Sequence, residues 1–278
     1  MMFKKRVVVF GAGPAGLIAA QAAEDAGREV FLFTAPDARG NPRKSELHGC
    51  QYLHAPIPRF SRDASGPQRL VRYHLKGSSE DYRRKVYGEN WDGEVSPDEY
   101  GPEQDHYAWD LRDTYDRLWG AWFSRITAMD LNPRMAGRLS EVRGQISLCT
   151  VPAPALCLHP DEHKFVSQGI WAMGSRVPSG NETPENYLPY RAPDMTVECN
   201  AEVAPRWYRA ATVFGHSTIE WPAGPKPPIS GVVAVNKPLS TDCTCHGRPT
   251  WHRIGRYGEW RKGVLTHSVY ERVRGLLK

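Results

Sequence analysis

Gly11, Gly13 and Gly16, set directly after the apolar run Arg6–Phe10 with Pro14 between them, constrain this chain more than any other feature. A β-branched run that stops at a glycine reads as a buried parallel strand. Pro14 then suits the first turn of a helix, whose Ala-rich body runs to Ala26 before Gly27 ends it. "EVFLFT", Glu29–Thr34, supplies a second strand, so the opening is a βαβ unit of about thirty residues. Within such a unit Gly11 permits the tight turn, Gly13 lets backbone approach a phosphate, and Gly16 lets helix pack on strand. Together with Pro14 and Ala15, and with the free N–H groups of the helix N-terminus, they predict a dinucleotide cradle.

A secretory leader competes for the same letters, with Lys4, Lys5 and Arg6 as its basic segment, residues 7–20 as its apolar segment and "AQA" as a cleavage site. A leader has no use for three spaced glycines and a proline, so the cradle is the expectation. Across the 278 residues no uninterrupted apolar run reaches the ~18 residues that a membrane-spanning helix needs. Six cysteines are too sparse for a disulfide scaffold, which predicts a reduced, cytoplasmic thiol set. A net charge of +5 suits an anionic partner without choosing one. The sequence contains no G-x-S-x-G, Walker lysine loop or H-E-x-x-H, which leaves hydrolase and kinase readings without support.

Beyond the second strand the text is irregular from Ala35 to Asp105 and reads as loops, apart from a strand near Leu70–Leu75. Residues Asp110–Asp130 give a helix, with Leu111, Tyr115, Leu118, Trp119, Trp122, Phe123, Ile126 and Met129 on one face. That aromatic stripe is expected in the core. Five β-like runs follow between residues 144 and 239, separated by Pro, Gly and Asn, and imply an antiparallel sheet. "GVLTHSVYERVRGLLK" closes the chain as a helix. The expected fold class is α/β: a Rossmann-like dinucleotide-binding fold with an inserted helix and antiparallel-sheet substrate region. Residues 1–58, 140–160 and 230–278 would form the first part, and 59–139 and 161–229 the cap.

"VVVFGAGPAGLIAA", with proline after the second glycine, resembles the FAD-binding start of the flavoprotein group that includes amine oxidases, monooxygenases and UDP-galactopyranose mutases. "SELHGCQYLHAPIP" (45–58) is similar to that group's loop beside the flavin, "ISLCTVPAPALC" (146–157) to its returning strand, and "RIGRYGEWRKGVLTH" (253–267) to its closing motif. The resemblance implies FAD as cofactor, held by the cradle with Arg43, Lys44, Ser45, Gly49, Gln51, Gly255, Arg256, Gly263 and Val264. It implies an oxidoreductase acting on a small or nucleotide-type substrate with an external reductant or electron acceptor. A redox-neutral mutase-like reaction on a nucleotide sugar is the alternative within the group. No second glycine cradle exists for NAD(P)H.

The acidic residue that usually grips the adenosine ribose stands about twenty residues after the first glycine, at the end of the second strand. Thr34 occupies that place, with Asp37 in the next loop, or Arg39, Arg43 and Lys44 as phosphate partners, as substitutes. His48, His54 and Cys50 are the candidate proton-handling or redox side chains beside the flavin loop, each weighed against a structural role. His267, in the first turn of the last helix, is weighed the same way. Cys157, His159, His163, Cys243, Cys245 and His246 carry metal-ligand chemistry but lack the paired C-x-x-C spacing of zinc sites, so no metal is expected. Nucleic-acid binding through scattered basic residues and nine tryptophans, without catalysis, is the non-enzymatic alternative.

Overall fold

The computed structural model describes residues 6–61, 68–88, 105–141, 145–176, 190–245 and 251–278. Lys4, Lys5 and His246 lie outside the described residues.

The opening folds as its letters require. Strand β1 (Arg6–Phe10) leads through Gly11 into helix α1 (Pro14–Asp25), and β2 (Glu29–Thr34) returns parallel to β1. Three later strands complete a parallel five-stranded sheet: β5 (Ile126–Ala128), β6 (Ile146–Cys149) and β12 (Trp251–Arg253). The order is β12-β6-β1-β2-β5, so β1 sits at the centre with β2 on one edge and β6 on the other. Alternation along β1 serves two cores. Val7 and Val9 face α1, helix α3 (Leu111–Trp122) and helix α6 (Ser268–Leu276). Val8 and Phe10 face helix α4 (Pro133–Ser140) and Trp251.

The remaining strands form a seven-stranded sheet, β11-β7-β10-β9-β8-β3-β4. Its members are β3 (Arg69–Lys76), β4 (His106–Ala108), β7 (Phe165–Arg176), β8 (Thr196–Asn200), β9 (Arg209–Val213), β10 (His216–Pro222) and β11 (Val233–Thr241). All neighbours run antiparallel except β3 and β8. Helix α2 (Ser79–Tyr87) lays Tyr82, Val86 and Tyr87 on one face of this sheet.

Several expectations are corrected. The third helix ends at Trp122 rather than near Asp130, because Ile126–Ala128 pairs with the end of β2 as an added strand. The segment expected to be loop holds α2, started by Ser78, whose hydroxyl accepts from the Asp81 N–H at 3.0 Å. Sheet membership departs from the expected division at β5, which joins the parallel sheet, and at β11, which pairs with β7. The aromatic stripe of α3 is core only in part: Tyr115, Leu118 and Trp122 are buried, and the Trp122 indole donates to Gln21 at 3.1 Å, whereas Trp119 is half-buried and Phe123, beyond the helix end, is 47% exposed.

No helix among the described residues is long and apolar enough to cross a membrane.

Candidate functional site

In an open parallel sheet the crevice lies where chain direction switches from one edge to the other, outside the carboxyl ends of the strands. Here that place is between β1 and β6. Thr150, just past β6, donates its hydroxyl to the Phe10 carbonyl at 2.9 Å and so ties the two strand ends together. Gly11 turns with φ +97°, and a Cβ there would stand 2.6 Å from the Thr150 hydroxyl. A Cβ on Gly16 would overlap the Gly11 carbonyl oxygen. These two glycines are therefore demanded by packing. Gly13 differs: its φ is −67°, and an added Cβ would meet only the Ser45 hydroxyl, at 3.3 Å. The space beside Gly13 is the open side of the turn. No side chain caps α1, so its first N–H groups face that space.

Two further segments converge on the same helix end. Tyr115 donates its hydroxyl to the Ala12 carbonyl at 2.9 Å and accepts from the Ser45 N–H at 3.0 Å, which pins the 45–51 segment beside the glycine turn. Gly255, at φ +75°, would place a Cβ 2.8 Å from that of Ala15, and the Ile254 N–H donates to the Cys149 carbonyl at 2.8 Å. The structure thus gathers Gly11, Gly13, Pro14, Ala15, Gly16, Ser45 and Gly255 at one place. Tyr115→Phe is expected to destabilise the chain by about 1–2 kcal/mol in denaturant unfolding, since the buried Ala12 carbonyl and the part-buried Ser45 N–H lose their partner.

The other predicted residues are spread more widely. Lys44 pairs with Asp116 at 2.6 Å and lies over the Tyr115 ring, while Arg43 is exposed. Gln51 donates to the His48 carbonyl at 2.7 Å. Gly263 sits in an exposed turn at φ +80° with nothing within 4 Å of an added Cβ, and Val264 beside it is half-buried. Arg256 donates to the Pro238 carbonyl at 3.2 Å, and burial lowers its pKa. Its Nε is buried with no hydrogen-bond partner among the described residues. Thr34 ends β2 and is buried, and its carbonyl accepts from Met129 N–H at 2.8 Å. Asp37 closes its own turn, its Oδ1 accepting from the Arg39 and Asn41 N–H groups at 2.8 and 2.9 Å. A cavity of about 510 Å³ opens between the 44–48 segment and the seven-stranded sheet, lined among others by Lys44, Ser45, His48, Arg112 and Thr218.

Charge is concentrated behind the 49–50 turn. Glu220, on β10 and only 1% exposed, accepts from Arg209 on β9 at 2.7 Å and from Lys237 on β11 at 2.6 Å. It also accepts from the Tyr208 hydroxyl and from the Cys50 N–H, the latter at 3.2 Å. Gly49 has φ +76°, and a Cβ there would overlap the Glu220 carboxylate, so both its backbone and its surroundings require glycine. Burial resists ionisation of Glu220, but the two cations outweigh it and hold its carboxyl well below the usual range. Arg209 already grips both carboxylate oxygens, which leaves Lys237 as the surplus cation. Burial and the Arg209 charge lower Lys237 to about 7, against the pull of Glu220. A buried amine that titrates near neutrality can hold or release a proton.

Sequence reasoning passed over this cluster, although Glu220 within "STIEWP" and Lys237 within "VAVNKPL" each break an apolar strand pattern. It also passed over His106. His54 stacks on His106 with ring centroids 4.2 Å apart and on His267 at 5.7 Å, and Tyr52 lies 5.1 Å from His54. Burial lowers the pKa of His267. Of the three candidate chemical residues, His54 joins this ring stack and Cys50 reaches Glu220 through its backbone. His48 stands at the cavity rim, 3.2 Å from Glu46.

No family model and no curated protein sequence matches the chain. Solved structures do match its backbone. A flavin-dependent halogenase from Brevundimonas sp. BAL3 is similar over 99% of this chain and 72% of that one, with TM-score 0.52 and 10% identity. A thermophilic tryptophan halogenase from Streptomycin violaceusniger is similar over 98% and 73%, with TM-score 0.53 and 8% identity. A flavin-dependent halogenase from Xanthomonas campestris is similar over 99% and 70%, with TM-score 0.51 and 10% identity. The likeness is one of fold: a parallel dinucleotide-type sheet joined to a large antiparallel one.

Proposed function

We propose that the chain binds FAD in the crevice between β1 and β6 and acts as a flavin-dependent oxidoreductase on a small or nucleotide-type molecule. The observation that carries this reading is the convergence of three segments on the N-terminus of α1: the glycine turn at 11–16, the Ser45 segment pinned by Tyr115, and the Gly255 turn. Halogenases described as flavin-dependent share the fold.

The residues suit the group. Gly13 leaves backbone accessible where a pyrophosphate needs it, and α1 supplies N–H donors with a partial positive charge. Arg256, with an unpartnered buried Nε, offers a planar donor fork near the Gly255 turn. Thr34 departs from the acidic ribose partner, so ribose recognition would have to use a hydroxyl or backbone at that strand end. When bound, FAD would supply the hydride-level redox chemistry of the reaction. The chain's own part is to orient the substrate, shield the crevice and move protons. Lys237 is suited to the last of these by its pKa, and the His54–His106–His267 stack by its ring nitrogens. The fold likeness does not single out the amine-oxidase or mutase branch of the group.

The visible spectrum of the purified chain tests this. Flavin absorption that is released on denaturation and restored by added FAD is expected. A colourless protein that takes up no FAD would sink the reading and leave the non-catalytic alternative. Addition of an anaerobic reductant then separates the reactions. An oxidoreductase passes electrons to an acceptor, whereas a mutase turns over a nucleotide sugar with no net change of redox state.

A further inference from the structure

We infer that Cys157, His163, Cys243 and Cys245 form a structural zinc site that clasps the two sheets together, outside the crevice described above. Their ligand atoms all lie within 4.8 Å of one another. Cys157 Sγ stands 3.5 Å from Cys243 Sγ, 3.6 Å from Cys245 Sγ and 3.3 Å from His163 Nδ1, and Cys245 Sγ is 3.8 Å from that nitrogen. Four ligands placed about 2.3 Å from a zinc ion at tetrahedral angles stand about 3.8 Å apart, so the four side chains already outline the edges of the polyhedron. A disulfide needs sulfurs about 2.05 Å apart, and these three cysteines are all free thiols. Three thiolates and an imidazole in tetrahedral array are a zinc donor set, one of the usual combinations for structural sites.

The surroundings are those of an outer shell. The His159 N–H points to Cys157 Sγ at 3.4 Å. Arg253 donates to Cys243 Sγ at 3.0 Å and to the Cys245 carbonyl at 3.4 Å. Zn²⁺ with three thiolates carries one net negative charge, and the Arg253 guanidinium offsets it. The backbone that presents the ligands is fixed: Thr241 donates to the Lys164 carbonyl at 2.8 Å, the Cys243 N–H donates to Thr241 at 3.1 Å, and the Lys164 N–H donates to Asp242 at 2.8 Å. His163 Nδ1 also lies 3.0 Å from the His159 carbonyl, where it can donate in the metal-free chain; metal binding at Nδ1 exchanges that hydrogen bond for the metal–nitrogen bond and leaves the proton on Nε2.

The ligands come from three segments that the fold brings to one corner. Cys157 follows β6 of the parallel sheet by a short helical turn, and Arg253 lies on β12 of the same sheet. His163 precedes β7 and the two remaining cysteines follow β11, at the paired ends Phe165 and Thr241. Binding requires the three thiols to give up their protons to solvent as the metal–sulfur bonds form, with no change of oxidation state.

The whole chain, expressed in zinc-supplemented medium and purified without chelator, is expected to hold a single zinc by elemental analysis. After stripping with chelator under reductant, titration with cobalt(II) is expected to give the visible bands of tetrahedral cobalt thiolate, saturating at one equivalent. Cys157→Ser and Cys243→Ser should lose zinc and bands, while Cys50→Ser, outside the cluster, keeps both. If a serine variant fails to fold, the cobalt titration of the unsubstituted chain decides. Absence of zinc with no cobalt bands, iron in place of zinc, metal retained in the Cys157→Ser/Cys243→Ser double variant, or a Cys157–Cys243 disulfide in freshly purified protein would each overturn the assignment. Flavin is read separately from its own absorption, so either result stands without the other.

Discussion

Gly16→Ala is expected to lower the thermal midpoint sharply, and Gly13→Val to leave it nearly unchanged while abolishing flavin uptake. The two glycines lie in one turn, yet they answer to different constraints. An alanine Cβ at 16 would overlap the Gly11 carbonyl oxygen, and it also approaches the Thr150 hydroxyl. Backbone cannot yield there without parting α1 from β1. Overpacking of this kind costs about 3 kcal/mol, which for a chain of this size is roughly 6–12 °C in thermal midpoint. At Gly13 the backbone is in an ordinary extended-to-helix transition, and the nearest atom to an added Cβ is the end of the Ser45 side chain. A valine there fills the crevice and not the core. Its expected effect is a loss of FAD affinity of about 100-fold or more, equivalent to about 2.7 kcal/mol. Calorimetry for stability and a flavin titration for affinity separate the two variants. Should Gly13→Val bind FAD as the unsubstituted chain does, the crevice is not where the dinucleotide lies.

Glu220→Ala is expected to be as damaging as the glycine overlap, for an electrostatic reason. The carboxylate is the common acceptor of Arg209, Lys237, Tyr208 and the Cys50 N–H. Its removal leaves two cations facing each other in a buried place, which costs about 3–5 kcal/mol. Lys237→Met removes only the surplus charge and keeps the Arg209–Glu220 pair, so its cost should be far smaller. The two variants also differ in pH dependence. Lys237 is lowered to about 7 in the folded chain from 10.5. Between those values the unfolded chain binds the proton and the folded chain does not, so this group makes stability rise with pH above about 7. Lys85, lowered by burial to about 8, acts in the same direction. The part due to Lys237 is the difference between the unsubstituted chain and Lys237→Met in denaturant unfolding from pH 7 to pH 8.5. Parallel curves would place the titration elsewhere.

Local order in the sequence explains what could be read from it. From Arg6 to Thr34 each element is announced by its own letters: a β-branched strand, a glycine turn, proline at the first helical position, a second β-branched strand. Thr34 stands at the strand end where counting put it. The long antiparallel strands were visible for the same reason. Helix α2 was not, because its apolar positions are few and its flanks are rich in charge; its one clear signal was the Ser78 cap. The end of α3 was hidden because Ile126–Ala128 continues the helical spacing of apolar residues, and only β2 draws it into a sheet. The Glu220 cluster joins residues from three strands, its two cations standing 11 and 17 positions from the carboxylate in the sequence. The members of the cysteine and histidine cluster could be named in the sequence, but without C-x-x-C spacing nothing there showed that the 157–163 and 243–245 segments meet. Chemistry that depends on which strands become neighbours is written in the topology, not in any short stretch.

That topology bears on how the chain comes to be folded. β1 is made first, but one of its edges pairs with β6, whose residues 146–149 follow more than half-way along the chain, and β12 is added beside β6 only at 251–253. During synthesis the "RVVVF" strand therefore carries an open, apolar edge until residue 149, about half of the chain's length, a hazard for pairing with other chains. The long separation of its partners places this protein among the slow folders. Five strands of the antiparallel sheet, β7 to β11, also lie between β6 and β12 in the chain. Yield on expression should then depend on temperature and on chaperones more than the finished structure's packing would suggest.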